Sequence, residues 1–236
     1  LIRFAPGDPA AIIAGEDATA EAIAQVRAKL GLDRPVFEQF AIWTLHLLQG
    51  DFGISIFSNL PVTRLIAQRL EPTVALTLST LLVAVTLAIP IGVVAAWKAR
   101  KLVDRAVMAF AVLGFAMPVF VLAYILIYFF AVQWKLLPVQ GYRPISEGFW
   151  PFVGCLVLPS VALGITYMAL IARITRASML EVLAQDYIRT ANSKGLATDR
   201  VLLLHALKNA AVPIVTVIGI GIALLISGVV ITETVF

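Results

Sequence analysis

The chain has 236 residues, of which 61% are hydrophobic and 14% are charged, and its mean hydropathy is +0.96. An ordinary soluble domain has about 25% charged residues, so this composition excludes a soluble globular protein as well as a disordered or collagen-like chain. The net charge of +4 does not indicate a nucleic-acid partner, because the cations lie in short clusters between apolar segments. We expect the single cysteine, Cys155, to pack as a small hydrophobic side chain.

Residues 1–72 form the only long polar region, and their pattern predicts short amphipathic helices joined by turns. Residues 6–9 read PGDP and predict a turn. Three helices are expected, at residues 19–30, 35–49 and 61–70. Thr19 is the expected N-cap of the first helix and Gly31 the residue that ends it. The third helix has an amphipathic stripe that suits a membrane surface.

Four uncharged stretches predict membrane-spanning helices, at residues 73–97, 106–134, 148–172 and 209–232. A helix of about 25 residues is about 37 Å long, which is enough to cross a bilayer with some tilt. Interior prolines predict kinks, which membrane helices tolerate, at Pro90, Pro118, Pro159 and Pro213. The sequence therefore predicts an all-α protein with four complete transmembrane helices over residues 73–236.

Lysine and arginine are concentrated in two segments between the spans. Residues 98–105 contain four basic residues and one acidic residue, and residues 173–208 contain six basic and three acidic residues. Because basic residues favour the cytoplasmic side of a membrane, we expect both segments to be cytoplasmic. Residues 1–72 and the loop at residues 135–147 are then expected on the outer side.

Small residues recur every four positions in two of the spans, which lets helices approach closely. The first stripe consists of Thr80, Ala84, Ala88, Gly92 and Ala96, and the second of Gly219, Ala223 and Ser227. Each stripe has two interpretations, ordinary packing within one bundle or a face that moves against a partner subunit.

The predicted spans contain no Asp, Glu, Lys, Arg or His residue. An ion-coupled secondary transporter needs such groups to bind its ion or relay a proton, so that class survives only if further spans supply one. The sequence shows no cluster of catalytic or metal-ligating residues and no glycine-rich phosphate loop followed by lysine, so neither an enzyme nor an ATP-binding subunit is predicted. A transporter of this composition takes its energy from another polypeptide.

Polar residues within the spans are candidates for lining a translocation path. They are Thr77, Ser79, Thr86, Ser160, Thr166, Tyr167, Thr216 and Ser227. Ordinary hydrogen bonds between helices explain such residues equally well, so none is singled out as a site.

Residues 173–208 are too many for a tight connection. Their pattern predicts a helix that continues to Ile188, a short crosswise helix at residues 190–195, and another helix from Arg200 into the last span. Gly195 is expected to end the short helix as its C′ residue. Thr198 or Asp199 is expected to cap the helix that follows.

Several segments resemble one family of transport proteins. Residues 185–196 read QDYIRTANSKGL, residues 205–210 read HALKNA, and residues 50–55 read GDFGIS. Together with PGDP at residues 6–9, they resemble the inner-membrane permease subunits of ABC importers, in the dipeptide, oligopeptide and nickel group and of its first-permease type. Two departures from the general loop pattern are residues 189–191, which read RTA instead of EAA, and the HALK that replaces an ending in Leu-Pro.

The resemblance implies a type I permease fold with six spans, of which two are missing here, so we expect the chain to be a fragment. It also implies that the helix at residues 190–195 couples the permease to an ATP-binding subunit. The implied coupling residues are Asp186, Arg189, Thr190, Ala191, Asn192, Ser193, Lys194 and Gly195. Arg189 and Lys194 are alternatively topology charges, and Gly195 is alternatively only a helix terminator.

The resemblance implies partners and a location. We expect two ATP-binding subunits, a second homologous permease, a periplasmic substrate-binding protein and the lipid bilayer of a bacterial inner membrane. ATP and Mg²⁺ are expected on the partner subunits, with no cofactor in this chain. The implied cargo is a dipeptide or oligopeptide, and the alternatives are nickel and glutathione.

Overall fold

The computed structural model describes residues 8–15, 18–29, 31–55 and 58–228. Regular secondary structure in these ranges is helical, apart from one isolated bridge between Ile54 and Pro61. Contacts divide the chain into two compact units, Leu1–Arg69 and Leu70–Phe236. The turn predicted at residues 6–9 and the end of the last predicted span, residues 229–232, lie largely or wholly outside the described residues.

The first unit contains three short helices, α1 (Pro9–Ala14), α2 (Ala20–Lys29) and α3 (Val36–Leu48). The carboxylate of Asp8 caps α1 by accepting a hydrogen bond from the Ala10 N–H at 3.0 Å, and it also pairs with Arg27 of α2. Thr19 caps α2 as predicted, since its hydroxyl accepts the Ala22 N–H at 3.3 Å. The pair between Asp8 and Arg27 joins the N-terminal end of α1 to α2.

Helix α4 (Val62–Trp97) runs without interruption for 36 residues. The prediction of a separate helix at residues 61–70 and a span beginning at residue 73 was therefore wrong. Pro72, at the boundary between these two predicted segments, lies inside the helix. The turn before Pro72 is exposed, so water can bond the carbonyl that the proline leaves free, and the helix continues.

The second predicted span, residues 106–134, is broken into two helices. Helix α5 (Leu102–Ala116) and helix α6 (Val119–Leu126), which continues as a π-helical turn to Gln133, meet at an angle of 100°. Met117 has an extended backbone, the conformation that a following proline imposes. Pro118 therefore breaks the span instead of kinking it.

Helix α7 (Phe149–Leu183) is the centre of the second unit, and α5, α6 and the last helix, α10 (Leu207–Gly228), pack against it. Between α7 and α10 lie α8 (Asp186–Ser193), α9 (Thr198–Arg200) and a π-helical segment, Val201–Ala206. Three helical stretches of the described chain are long and apolar enough to cross a membrane, and the bent pair supplies a fourth if it is one broken span.

The first small-residue stripe packs α4 inside the bundle. Thr80, Ala84 and Ala88 are fully buried, and Gly92 lies against Ala172 and Thr175 of α7. For this stripe, ordinary packing within one bundle is confirmed. In the second stripe, a Cβ at Gly219 would meet no atom within 4 Å, so that stripe keeps its alternative of a partner-facing surface.

Candidate functional site

The short helix predicted within residues 173–208 is α8, which begins at Asp186 and ends at Ser193. Its predicted bounds were wrong, and so was the expected continuation of the preceding helix to Ile188, because α7 ends at Leu183 and Gln185 is extended. No glycine or proline marks this break. The break lets one short helix carry both Ile188 and Ala191 into the core.

Helix α8 ends in a Schellman motif. The Gly195 N–H donates to the Asn192 carbonyl at 2.9 Å, and the Leu196 N–H donates to the Ala191 carbonyl at 3.3 Å. Gly195 has φ +77°, a left-handed conformation that a glycine adopts without strain. The predicted C′ position of Gly195 is therefore confirmed.

One face of α8 is buried. Ile188 is 2% exposed and Ala191 is 7% exposed, and both belong to the largest hydrophobic cluster of the second unit. The same cluster includes Val93 and Ala96 of α4, Met179 of α7, and Val201, Leu202 and Ala206 of the π-helical segment. Helix α8 is thus docked on the ends of several long helices, and is not held only by its connections. Ala191, expected at a partner surface, contributes to this anchor instead.

The other face of α8 is exposed and holds the remaining expected coupling residues within α8. Asp186 and Arg189 form a loose pair at 3.5 Å with 95% and 81% of their side chains exposed, which contributes little stability. The hydroxyls of Thr190 and Ser193 donate to carbonyls one turn earlier, at 3.0 and 3.1 Å. Another protein can therefore approach this face closely without leaving those hydroxyls unsatisfied.

The chain after α8 departs from the predicted helix. Neither Thr198 nor Asp199 caps it, because the helix starts at Thr198 with Ala197 at the N-cap, and the turn that follows is π-helical. The wider turn buries the adjacent residues Val201 and Leu202 together, at 3% and 9% exposure. Single-turn π segments inside helices often occur at functional sites.

A buried ion pair lies beside this cluster and was missed by the sequence analysis. Asp104 of α5 is 4% exposed, and its carboxylate accepts two hydrogen bonds from Arg176 of α7, of which the Nη2 bond is 2.7 Å. It also accepts the Arg100 N–H at 2.8 Å. The two charges are 72 positions apart in sequence, and each was counted only as a topology charge.

The candidate path residues do not converge on one site. Ser79 and Ser160 bond each other across α4 and α7 at 2.6 Å, at the floor of an apolar groove of about 450 Å³. Thr86 and Thr216 bond carbonyls of their own helices. Ser227 lies in α10, and its side chain is outside the described residues. These bonds are typical of helix packing in a membrane.

The loop at residues 135–147 is tied to the start of the second unit. The Tyr142 hydroxyl donates to the Glu71 carboxylate at 2.9 Å, and its ring packs edge-on against Phe152. Burial, followed by the hydrogen bond to Glu71, raises the pKa of Tyr142 far above its ordinary value. This contact holds the middle of the loop, next to Gly141, which is exposed.

The architecture identifies a class of protein. Within the described residues no group of three His, Cys, Asp or Glu side chains is arranged to hold a metal ion. Long apolar helices gather around α7, and a short two-faced helix is docked across their ends. These features define a multi-pass α-helical membrane protein.

The chain belongs to the binding-protein-dependent transport system inner membrane component family, whose model matches residues 88–236. The N-terminal family of the same membrane components matches residues 1–77. The predicted membership of the ABC importer permeases, the all-α fold and the inner-membrane location are confirmed.

Curated relatives of this chain are permease proteins, not enzymes. It is 53% identical to a probable peptide ABC transporter permease of Sinorhizobium fredii, with the whole chain and 75% of that protein aligned. It is 38% identical to the dipeptide transport system permease DppB of Escherichia coli, covering 77% of that protein. It is 40% identical to the glutathione transport system permease GsiC of Salmonella, covering 74% of that protein.

Proposed function

We propose that this chain is the permease subunit through which an ATP-driven importer moves dipeptides or oligopeptides across the bacterial inner membrane. It pairs with a second, homologous permease, and two ATP-binding subunits supply the energy. ATP and Mg²⁺ bind those subunits, and this chain holds no cofactor. A substrate-binding protein delivers the cargo to residues 1–72 and the loop at residues 135–147.

The observation that carries this proposal is the two-faced construction of α8. Its buried residues, Ile188 and Ala191, share one cluster with α4, α7 and the start of α10, while its polar face is free. A force applied to the free face therefore acts on the ends of several long helices, since packed cores shift as units. The coupling residues of this proposal are Asp186, Arg189, Thr190, Asn192, Ser193, Lys194 and Gly195, with Ala191 as an anchor.

Peptide cargo is favoured by the names of two relatives, a probable peptide permease at 53% identity and a dipeptide permease at 38%. Glutathione is the second candidate, because a glutathione permease is 40% identical to this chain. Nickel was the other alternative of the sequence analysis. A binding assay on the associated substrate-binding protein, with dipeptides, longer peptides, glutathione and nickel as separate ligands, discriminates among these cargoes.

The coupling role of α8 is tested at Gly195 in the complete importer, reconstituted in vesicles. A Cβ at this position would meet no atom within 4 Å, so Gly195→Trp adds bulk at the exposed helix end, although the left-handed backbone at φ +77° is strained for any side chain. We expect the complex to assemble but to lose the ATP hydrolysis that the loaded binding protein stimulates.

Gly195→Asn is the matched control, because asparagine tolerates the left-handed backbone better than most residues. It should keep most of the stimulation. Full stimulation in Gly195→Trp would remove this helix end from the coupling site. Solute uptake by the vesicles without ATP would instead support an ion-coupled secondary transporter.

A further inference from the structure

The buried carboxylate of Asp104 joins three parts of the chain. Asp104 itself lies in the first turn of α5. Its carboxylate accepts the Arg100 N–H in the tight turn that follows α4, and it is bound by Arg176 of α7. Arg100 has φ +66°, a left-handed conformation that is unusual for arginine. The hydrogen bond from its N–H to Asp104 stabilises that conformation.

This ion pair is costly to form unless its geometry is right. A buried carboxylate loses its hydration, and only a partner that satisfies its oxygens compensates for that loss. Arg176 does so with two nitrogens in a forked arrangement, a geometry that lysine cannot reproduce. The interaction therefore fixes the orientation of α5 on α7 as well as their distance.

The pair also lies next to the anchor of α8. Thr175, the neighbour of Arg176, is fully buried against Gly92 of α4, and Met179, one turn further along α7, is in the same cluster as Ile188. Helix α5 does not contribute a residue to that cluster within the described chain. The bond between Asp104 and Arg176 is a polar contact that links α5 to the end of α7 next to α8.

We propose that Asp104 and Arg176 form a positioning pair that makes α5 move together with α8 during the transport cycle. This inference rests on the proposed function, in which α8 receives the force from the ATP-binding subunits. Helices α4 and α7 follow α8 through apolar packing. Helix α5 also packs on α7 directly, and the pair fixes its orientation at the end of α7 that carries α8, so loss of the pair loosens the movement of α5 and α6 with α8.

The first test measures coupling in the complete importer. Asp104→Asn keeps an oxygen for the Arg100 N–H but removes the charge that Arg176 needs. We expect the ratio of stimulated to basal ATP hydrolysis to fall about fivefold, within the range for mutations along a coupling network. The matched control is Arg173→Gln, one turn earlier on α7, where the exposed arginine forms no ion pair among the described residues.

Two more variants separate positioning from simple stability. The double variant, Asp104→Asn with Arg176→Gln, leaves no charge unpaired. Its ratio of stimulated to basal ATP hydrolysis should therefore fall by less than the combined falls of the two single variants. Arg176→Lys keeps the charge without the fork, so its ratio should lie between those of the wild type and Asp104→Asn. The inference would be overturned if the variants reduced the assembly of the importer but left the ratio of stimulated to basal ATP hydrolysis unchanged. It would also be overturned if the effects of the two single variants on that ratio were fully additive.

The second test measures the movement itself. On a Cys155→Ser background, spin labels at Leu102 of α5 and Tyr187 of α8, both exposed, report the distance between these helices. We expect one narrow distribution that is the same with and without a bound ATP analogue, and a broadened one in Asp104→Asn. A distance that changes with nucleotide in the wild-type pair, or that is unaffected by Asp104→Asn, would overturn the inference. Failure of the proposed function is distinguishable, because it leaves stimulation intact in Gly195→Trp.

Discussion

Gly92 of α4 lies so close to α7 that a Cβ at this position would come within 2.6 Å of the Thr175 Cβ and 2.8 Å of the Ala172 carbonyl oxygen. Side chain and backbone both block this space, so neither helix can relax locally. We expect Gly92→Ala to destabilise the protein by about 1–3 kcal/mol, the usual cost of overpacking a core. The thermal unfolding midpoint in detergent measures this loss.

Gly219→Ala is the matched control for that substitution. Gly219 also lies inside a long helix, but a Cβ there would meet no atom within 4 Å. The change should leave the unfolding midpoint unchanged or slightly raised, because alanine favours the helix over glycine by about 1 kcal/mol. Equal effects of the two substitutions would contradict the close approach of α4 and α7.

Ile188 is the largest side chain that anchors α8, and it is 2% exposed. We expect Ile188→Ala to free α8 from the core, because truncating a buried isoleucine costs about 2–5 kcal/mol. Hydrogen exchange of the α8 amides should then become faster, while the amides at the centre of α7 keep their protection. Arg189→Ala serves as the control, since the Arg189 side chain is 81% exposed on the other face of the helix. Unchanged exchange in Ile188→Ala would mean that α8 is held by its end connections alone.

The end of α8 could be predicted from sequence, but its beginning could not. Gly195 marks the end because glycine alone adopts the left-handed backbone there without strain. The beginning depends on the burial of Ile188 and Ala191, a tertiary contact, and the break at Gln185 has no local marker. A different cause applies to α4, whose exposed turn before Pro72 lets the helix continue where the sequence favoured a boundary.

The ion pair of the candidate site was beyond single-sequence reasoning for a different reason. Asp104 and Arg176 lie in two segments whose excess of basic residues the positive-inside rule explains, and nothing in either segment alone pointed to a partner 72 positions away. Only the packing of α5 on α7 brings them together. Local patterns predict helices well, whereas contacts between distant segments need the fold.

The predicted orientation of the chain is tested at an exposed residue of the loop at residues 135–147. Gly141 is exposed and has φ +105°, and a Cβ there meets no atom within 4 Å. On a Cys155→Ser background, we expect Gly141→Cys to react with an impermeant thiol reagent added from the periplasm. Lys194→Cys should react only after the membrane is opened. Labelling in the reverse order would show that the two basic segments are not cytoplasmic.

The hydrogen bond between Tyr142 and Glu71 gives a prediction about pH. Because the pKa of Tyr142 is raised in the folded protein above its ordinary value of 10.0, the neutral hydroxyl stabilises the fold below that pH. As the pH rises above 10.0, the unfolded chain ionises first and this contribution is progressively lost. Tyr142→Phe should therefore unfold at a lower temperature than the wild type between about pH 7 and pH 9, and the difference should narrow above about pH 10. Tyr124→Phe, at an exposed tyrosine of α6, controls for the general effect of alkaline solution. A difference between Tyr142→Phe and the wild type that stays constant to the highest pH would show that neither burial nor Glu71 raises the pKa of Tyr142 in the folded protein.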